Sequence, residues 1–336
     1  MNSGPKEQEI NTIKESVNEK NKNKAGKSRS SGKRRNLATP FLLLVMLIGL
    51  AILAYPSFSD YWNSLHQSRA IMSYMEEVSN MDTSEYDRWI ESAQSYNKKI
   101  TIFGPNWMPT EEDTAKYNAE LAYNQSGNMG YIQIDKLNTM LSLYHGTSEA
   151  VLQTGIGHVE GSSLPVGSPS WNSKEGKVMD PKEGTHIVLS GHRGLPSAKL
   201  FSDLDKLVDG DIFILTILNE TLTYQVDQIR VVEPTDLSNL KIFKGMDYCT
   251  LVTCTPYGIN THRLLVRGHR VANAQGDVKV VADALQIKPV NIVPFIAAPV
   301  ILILILLMLI DTGITSRQKK RIKKLHAMIE EREDRQ

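Results

Sequence analysis

Two long apolar runs bracket most of this 336-residue chain. Leu37–Tyr55 and Ile292–Ile310 are each 19 residues without a charge. As helices each rises about 28 Å, close to the hydrocarbon thickness of a bilayer. A membrane span is the reading for both. A buried core helix is the alternative for either, and a cleaved signal peptide for the first. The 36-residue leader is long for a signal peptide, and no Ala-x-Ala site occurs between the run and Pro56. Lys27, Arg29, Lys33, Arg34 and Arg35 precede the first run, and Arg317, Lys319, Lys320, Arg321, Lys323 and Lys324 follow the second. The positive-inside rule then puts both tails in the cytoplasm and residues 56–291 outside the cell.

The formal net charge of +1 conceals a segregation. Residues 1–36 carry +6, residues 311–336 carry +3, and the rest carries −8. An acidic middle argues against nucleic-acid binding. Residues 1–36 are rich in Lys, Asn, Ser and Glu and read as a disordered basic tail that signals topology. Residues 56–125 are polar, with helical patches, and are too polar for a core of their own. They are expected to drape over the β-rich region beyond them. From Gly130 the pattern changes to short β-rich runs separated by turn residues: Tyr131–Ile134, His186–Ser190, Asp211–Leu218, Thr221–Val232, Tyr248–Thr253 and Arg263–Val271. That spacing predicts an antiparallel barrel or sandwich. Ser168–Gly184 reads as a surface loop, and residues 273–291 as a linker to the second run.

The most informative stretch is Tyr248–Arg270, two β runs about a turn containing Pro256 and Gly258. In a hairpin symmetric about Gly258 and Ile259, opposite residues have numbers summing to 517, so Cys254 faces Arg263. Directly opposed residues share a sheet face with Cβ atoms about 5 Å apart. A thiol beside a guanidinium is a nucleophile beside a group that stabilises a thiolate or an oxyanion. A small core cysteine and a solvated arginine is the alternative. Cys249 has the opposite parity, lies in an apolar run and reads as structural. Five residues of strand put it about 16 Å from Cys254, beyond disulfide reach.

A cysteine nucleophile needs a proton carrier. Of eight histidines, His262 points to the opposite face from Arg263 and His269 lies about 20 Å along the strand. His186 begins a strand, while His66 and His326 sit in polar segments. His145 and His158, in glycine-flanked loops, remain possible. His192 comes just after an apolar strand in a tight Gly-Arg-Gly context, where catalytic groups are commonly presented. No CxxC, HxxxH or HExxH spacing suggests a metal site, and no phosphate loop, dinucleotide fingerprint or Gly-x-Ser-x-Gly elbow occurs.

The stretch Thr250–Cys254 (TLVTC), with Arg263 nine residues later and Ser190–Arg193 (SGHR) upstream, resembles the sortases. The likeness runs from about Gly130 to Val271 and is nearest to class C, the pilin-polymerising sortases. It extends through MGYIQI, YHGT, GHVEGSSLP and SGHRGLPSAKLFSDL. The resemblance implies an all-β, eight-stranded sortase barrel over residues 126–272, behind a helical or lid extension and between two transmembrane helices. It implies Cys254 as nucleophile, His192 as general acid and base, and Arg263 as oxyanion stabiliser, with Thr253 as a substrate contact. It also implies no cofactor. The implied partners are pilins or surface proteins with an LPxTG-like sorting signal, outside a Gram-positive cell. A cell-wall-anchoring sortase using a peptidoglycan amine is the nearest alternative, and a non-catalytic pilus scaffold is another. One departure stands out. Class C members commonly carry an Asp-Pro-aromatic lid, and none occurs between residues 56 and 129. The nearest feature is Gly104–Trp107 (GPNW), which makes Trp107 the lid candidate without an acidic anchor.

Overall fold

The computed structural model describes residues 38–124, 126–273, 317–329 and 331. The second apolar run, the linker and the basic N-terminal tail lie outside the described residues. The chain divides into two units, one ending at Ala51 and one beginning at Ile52.

The first helix, α1 (Ala38–Ser79), contains a stretch long and apolar enough to cross a membrane. None of that stretch is covered by protein, and Phe41, Val45, Ile48, Ile52 and Leu53 are exposed. A water-soluble helix has polar residues at such positions. Helical geometry continues past Pro56 to Ser79.

Two further helices precede the barrel. In α2 (Thr83–Phe103) the Asp82 carboxylate accepts from the Glu85 N–H at the N-terminus, and Gly104 at φ 86° ends the helix. Helix α3 (Glu111–Ala119) opens on a reciprocal capping box between Thr110 and Asp113. These helices do more than drape over the barrel. Ile71, Tyr74 and Val78, on one face of α1, are buried in the same core cluster as the barrel interior, with Ala93, Tyr117 and Leu121. Polar side chains staple the contact. Asn97 donates to the Leu164 carbonyl at 3.0 Å and accepts from its N–H at 2.7 Å. The Leu218 N–H donates to the Tyr74 hydroxyl.

The barrel strands are β1 (Asn128–Ile134), β2 (Thr139–His145), β3 (Ile156–His158), β6 (Thr185–Ser190), β7 (Ile212–Ile217), β8 (Glu220–Val232), β9 (Asp247–Thr255) and β10 (His262–Val271). They close in the order β1-β2-β3-β6-β9-β10-β8-β7. The barrel is mixed, in contrast to the antiparallel expectation: β2 with β3 and β6 with β9 are parallel pairs. Runs of alternating residues carry no signal for strand direction. Between β3 and β6, the stretch read as a plain loop holds a small hairpin of β4 (Trp171–Asn172) and β5 (Lys177–Val178). A six-residue helix, α4 (Glu149–Thr154), joins β2 to β3 and is capped by Ser148.

Candidate active site

The β9–β10 register has the symmetry read from the sequence: His262 pairs with Thr255, Arg263 with Cys254 and Leu264 with Thr253. Strand alternation then sorts the side chains. Cys249, Leu251 and Thr253 face the barrel interior and are buried. Thr250, Val252 and Cys254 face outward, with Arg263 and Leu265 across from them. Cys254 is half-buried, whereas burial pushes the thiol of Cys249 well up and leaves it protonated.

The third residue arrives on the other side of β9. Strand β6 runs parallel to it, with Thr185 beside Asp247 and Ser190 beside Val252. The ladder continues past the end of β6, because the Gly191 N–H donates to the Val252 carbonyl at 3.1 Å. Continued two residues beyond Ser190, the same offset brings the level of Cys254 to His192. By register, the segment after β6 flanks Cys254 on one side, and Arg263 on β10 pairs with it on the other.

The turn that presents His192 is held from below. The Thr253 hydroxyl, inside the barrel, donates to the Gly191 carbonyl at 2.7 Å. Gly191 has no room for a side chain, since a Cβ there would meet Ile156 and Phe201 at 2.6 and 2.7 Å. Thr253, expected from the resemblance to contact substrate, therefore has its hydroxyl turned inward onto this turn. At Arg263, Nη1 donates to the carbonyls of His262 and Asn260 at 3.2 and 3.4 Å. Among the described residues no carboxylate lies within ion-pair distance of Arg263, so its charge is not neutralised locally.

The other histidines are committed elsewhere. His158 lies in β3 rather than in a loop and is fully buried. Its Nε2–H donates to the Ser163 carbonyl at 2.8 Å, and its Nδ1 accepts from the Tyr117 hydroxyl at 3.0 Å. His186 donates to the Lys241 carbonyl and accepts from the Thr250 hydroxyl. Burial holds both rings neutral, lowering each to about 4. His145 ends β2 against the carbonyls of Glu120 and Gly127, and His262 lies 3.1 Å from Glu233.

Trp107 packs on the outer face of the same sheet. It covers a patch of Val188, Leu240 and Leu265, edged by Val159, Val232 and Val252. Val252 and Leu265 are themselves paired, one step inside the Cys254–Arg263 pair on that face. The Asn106 N–H donates to the Gly161 carbonyl at 3.0 Å, and the Asn106 side chain donates to Asp113. A Cβ at Gly161 would lie 1.9 Å from the Asn106 oxygen. Backbone contact with Gly161 and the bond from Asn106 to Asp113 of the α3 cap hold this segment.

Among the described residues no group of three or more His, Cys, Asp or Glu is arranged to hold a metal. An outward cysteine between a histidine and an arginine, on a closed barrel of this order, can carry an acyl group as a thioester. A family model described as Sortase domain matches residues 171–271. The crystal structure of sortase C1 from Streptococcus agalactiae is 58% identical, with 61% of this chain and all of that one aligned at a TM-score of 0.56. The chain is a sortase. Sortase C from Streptococcus pneumoniae is 40% identical over 61% of this chain and 97% of its own, at a TM-score of 0.50. Sortase D of Bacillus subtilis is 27% identical over 47% of this chain and 72% of that protein. The sortase family makes this chain a cysteine transpeptidase, and class C members stand among its structural neighbours.

Sequence reasoning had no access to two features of this sortase site. The inward role of Thr253 needs the β6–β9 pairing, which no local pattern announces. Glu149, at the start of α4, places Oε2 3.6 Å from Nε2 of His192, and nothing in the intervening sequence connects them.

Proposed function

We propose that this sortase is a membrane-anchored pilin polymerase. It cleaves an LPxTG-like sorting signal and joins the new carboxyl end to a pilin lysine. The Cys254 sulfur attacks the Thr–Gly carbonyl carbon. Arg263 donates to the oxyanion that forms. The C–N bond then breaks, with a proton passing from His192 to the departing glycine amine. The product of this half is a thioester on Cys254. In the second half, a lysine Nζ attacks the thioester carbon, His192 takes the proton from that nitrogen, and the Cys254 sulfur leaves. An isopeptide bond remains, and the enzyme returns to its starting state. Both the membrane span from residue 292 to 310 and an exterior catalytic domain belong to this reading.

The observation that supports it is the register around β9: Cys254 pairs with Arg263 on β10, and β6, paired alongside β9 as far as Ser190 and Val252, ends two residues before His192. The likeness to class C enzymes supports the lysine acceptor. Trp107 supports a covered substrate groove, because an apolar patch beside the nucleophile suits apolar side chains of a bound peptide. The test incubates the full-length chain in detergent with a candidate pilin and a sorting-signal peptide, and reads both halves by mass spectrometry. A thioester on Cys254 and then a lysine-linked product are expected. An acyl-enzyme that transfers only to peptidoglycan amines overturns the polymerase reading, and no adduct on Cys254 overturns the mechanism.

A further inference from the structure

We infer that Glu149 is a positioning residue for His192, one that orients its ring and stabilises its positive charge during proton transfer. The inference rests on the catalytic reading of His192. Nε2 of His192 is buried and has no hydrogen-bond partner, yet Oε2 of Glu149 lies 3.6 Å away. The other carboxylate oxygen is fixed by Gln153, whose amide donates to Oε1 at 2.6 Å. The carboxylate is thus held beside the ring while its own side chain stays 72% exposed. Hydrogen bonding from Gln153, and secondarily the charge of His192, keep Glu149 below the usual carboxylate range, so it is ionised at neutral pH.

The charged groups around the ring leave this role to Glu149. From β9 comes Cys254, and from β10 comes Arg263, a cation. On the ring's own loop, Arg193 is turned away, with Nη2 on Asp205 at 2.6 Å and Nη1 on the Thr255 hydroxyl at 3.3 Å. With Arg193 paired to Asp205, the carboxylate recorded beside the ring is that of Glu149, and an anion within about 4–6 Å favours the charged form of an imidazole. Glu149 lies on a helix that opens directly on its Ser148 cap, so its backbone is fixed independently of the catalytic loop.

The test compares pH–rate profiles of the full-length chain and its Glu149→Gln form in detergent, with acyl-enzyme formation as readout. Removing the anion makes the imidazolium lose its proton more readily. The limb of the profile that depends on His192 moves to lower pH. The shift shrinks in 1 M salt. Glu149→Asp returns part of it. An unmoved limb in the folded Gln form, while His192→Ala is inactive, overturns this inference alone. Normal turnover by His192→Ala overturns the catalytic reading and this inference together.

Discussion

Two cysteines five positions apart on one strand meet opposite environments because side chains alternate across a sheet. Cys249 faces a closed barrel and carries a thiol that burial keeps protonated, while Cys254 lies half-buried on the outer face. Cys254→Ala is expected to abolish acyl-enzyme formation with the fold intact, and Cys249→Ala to leave turnover largely unchanged. Equal loss in two folded variants, measured by mass spectrometry and circular dichroism, contradicts the assignment. Arg263 offers a planar fork that lysine lacks. Arg263→Lys should therefore cost at least about 100-fold in turnover, the magnitude of losing one oxyanion donor. A near-normal rate identifies Arg263 as a plain surface charge. Thr253→Val keeps the shape of the side chain but leaves the Gly191 carbonyl unsatisfied inside the barrel. A stability loss of about 1–3 kcal/mol is expected, together with slower acylation as the His192 turn loosens. Normal acylation by a destabilised Thr253→Val chain removes the link to His192.

In the proposed reading the segment between α2 and α3 acts as a cover with a weak hold. Its Trp107 ring is only partly buried on the Val188–Leu265 patch, and its backbone hydrogen bond to Gly161 is a single one. A partial burial of this kind is worth at most about 2–3 kcal/mol. Trp107→Ala is expected to speed thiol labelling of Cys254 by about tenfold or less. Strong protection in the parent chain, lost completely in Trp107→Ala, means a tight lid of a new type. The helices flanking this segment are anchored more deeply, α2 through Asn97 and α3 through Tyr117.

Across the whole molecule, two neutral buried histidines tie distant parts together. His158 joins α3 to β3, and His186 joins β6 to the loop before β9. Each ring is lowered to about 4, against about 6.5 in an unfolded chain. Between those values the unfolded state binds more protons than the folded one. Stability is therefore fully present above about pH 6.5 and falls as pH drops toward about 4, by up to about 1.4 kcal/mol per pH unit for each ring. Urea unfolding of the detergent-held chain at pH 7, 6 and 5 measures this, and a flat midpoint across that range contradicts it. Topology is testable at the same level. Protease added to protoplasts should digest residues 56–291 and spare both tails, and a C-terminal tag cleaved from outside excludes the two-span arrangement.

The hairpin pairing of Cys254 with Arg263 was legible in the sequence because it is local. A short turn and a period of two leave one symmetric register, and the sum of 517 comes from them. The opposite characters of Cys249 and Cys254 come from the same parity. The apolar run that begins α1 was equally plain, because length and absence of charge are additive properties. Other features depended on tertiary pairing. Parallel alignment of β6 with β9 joins segments separated by two intervening barrel strands, and only that alignment lifts His192 above His145 and His158 on physical grounds. The burial of α1, α2 and α3 residues in the barrel's core was hidden because a few apolar positions on each helix are diluted by polar neighbours. Trp107 on its patch, Thr253 beneath Gly191 and Glu149 beside His192 are contacts between remote segments. Their energies depend on distances that closure of the barrel sets, and one-dimensional spacing carries no record of them.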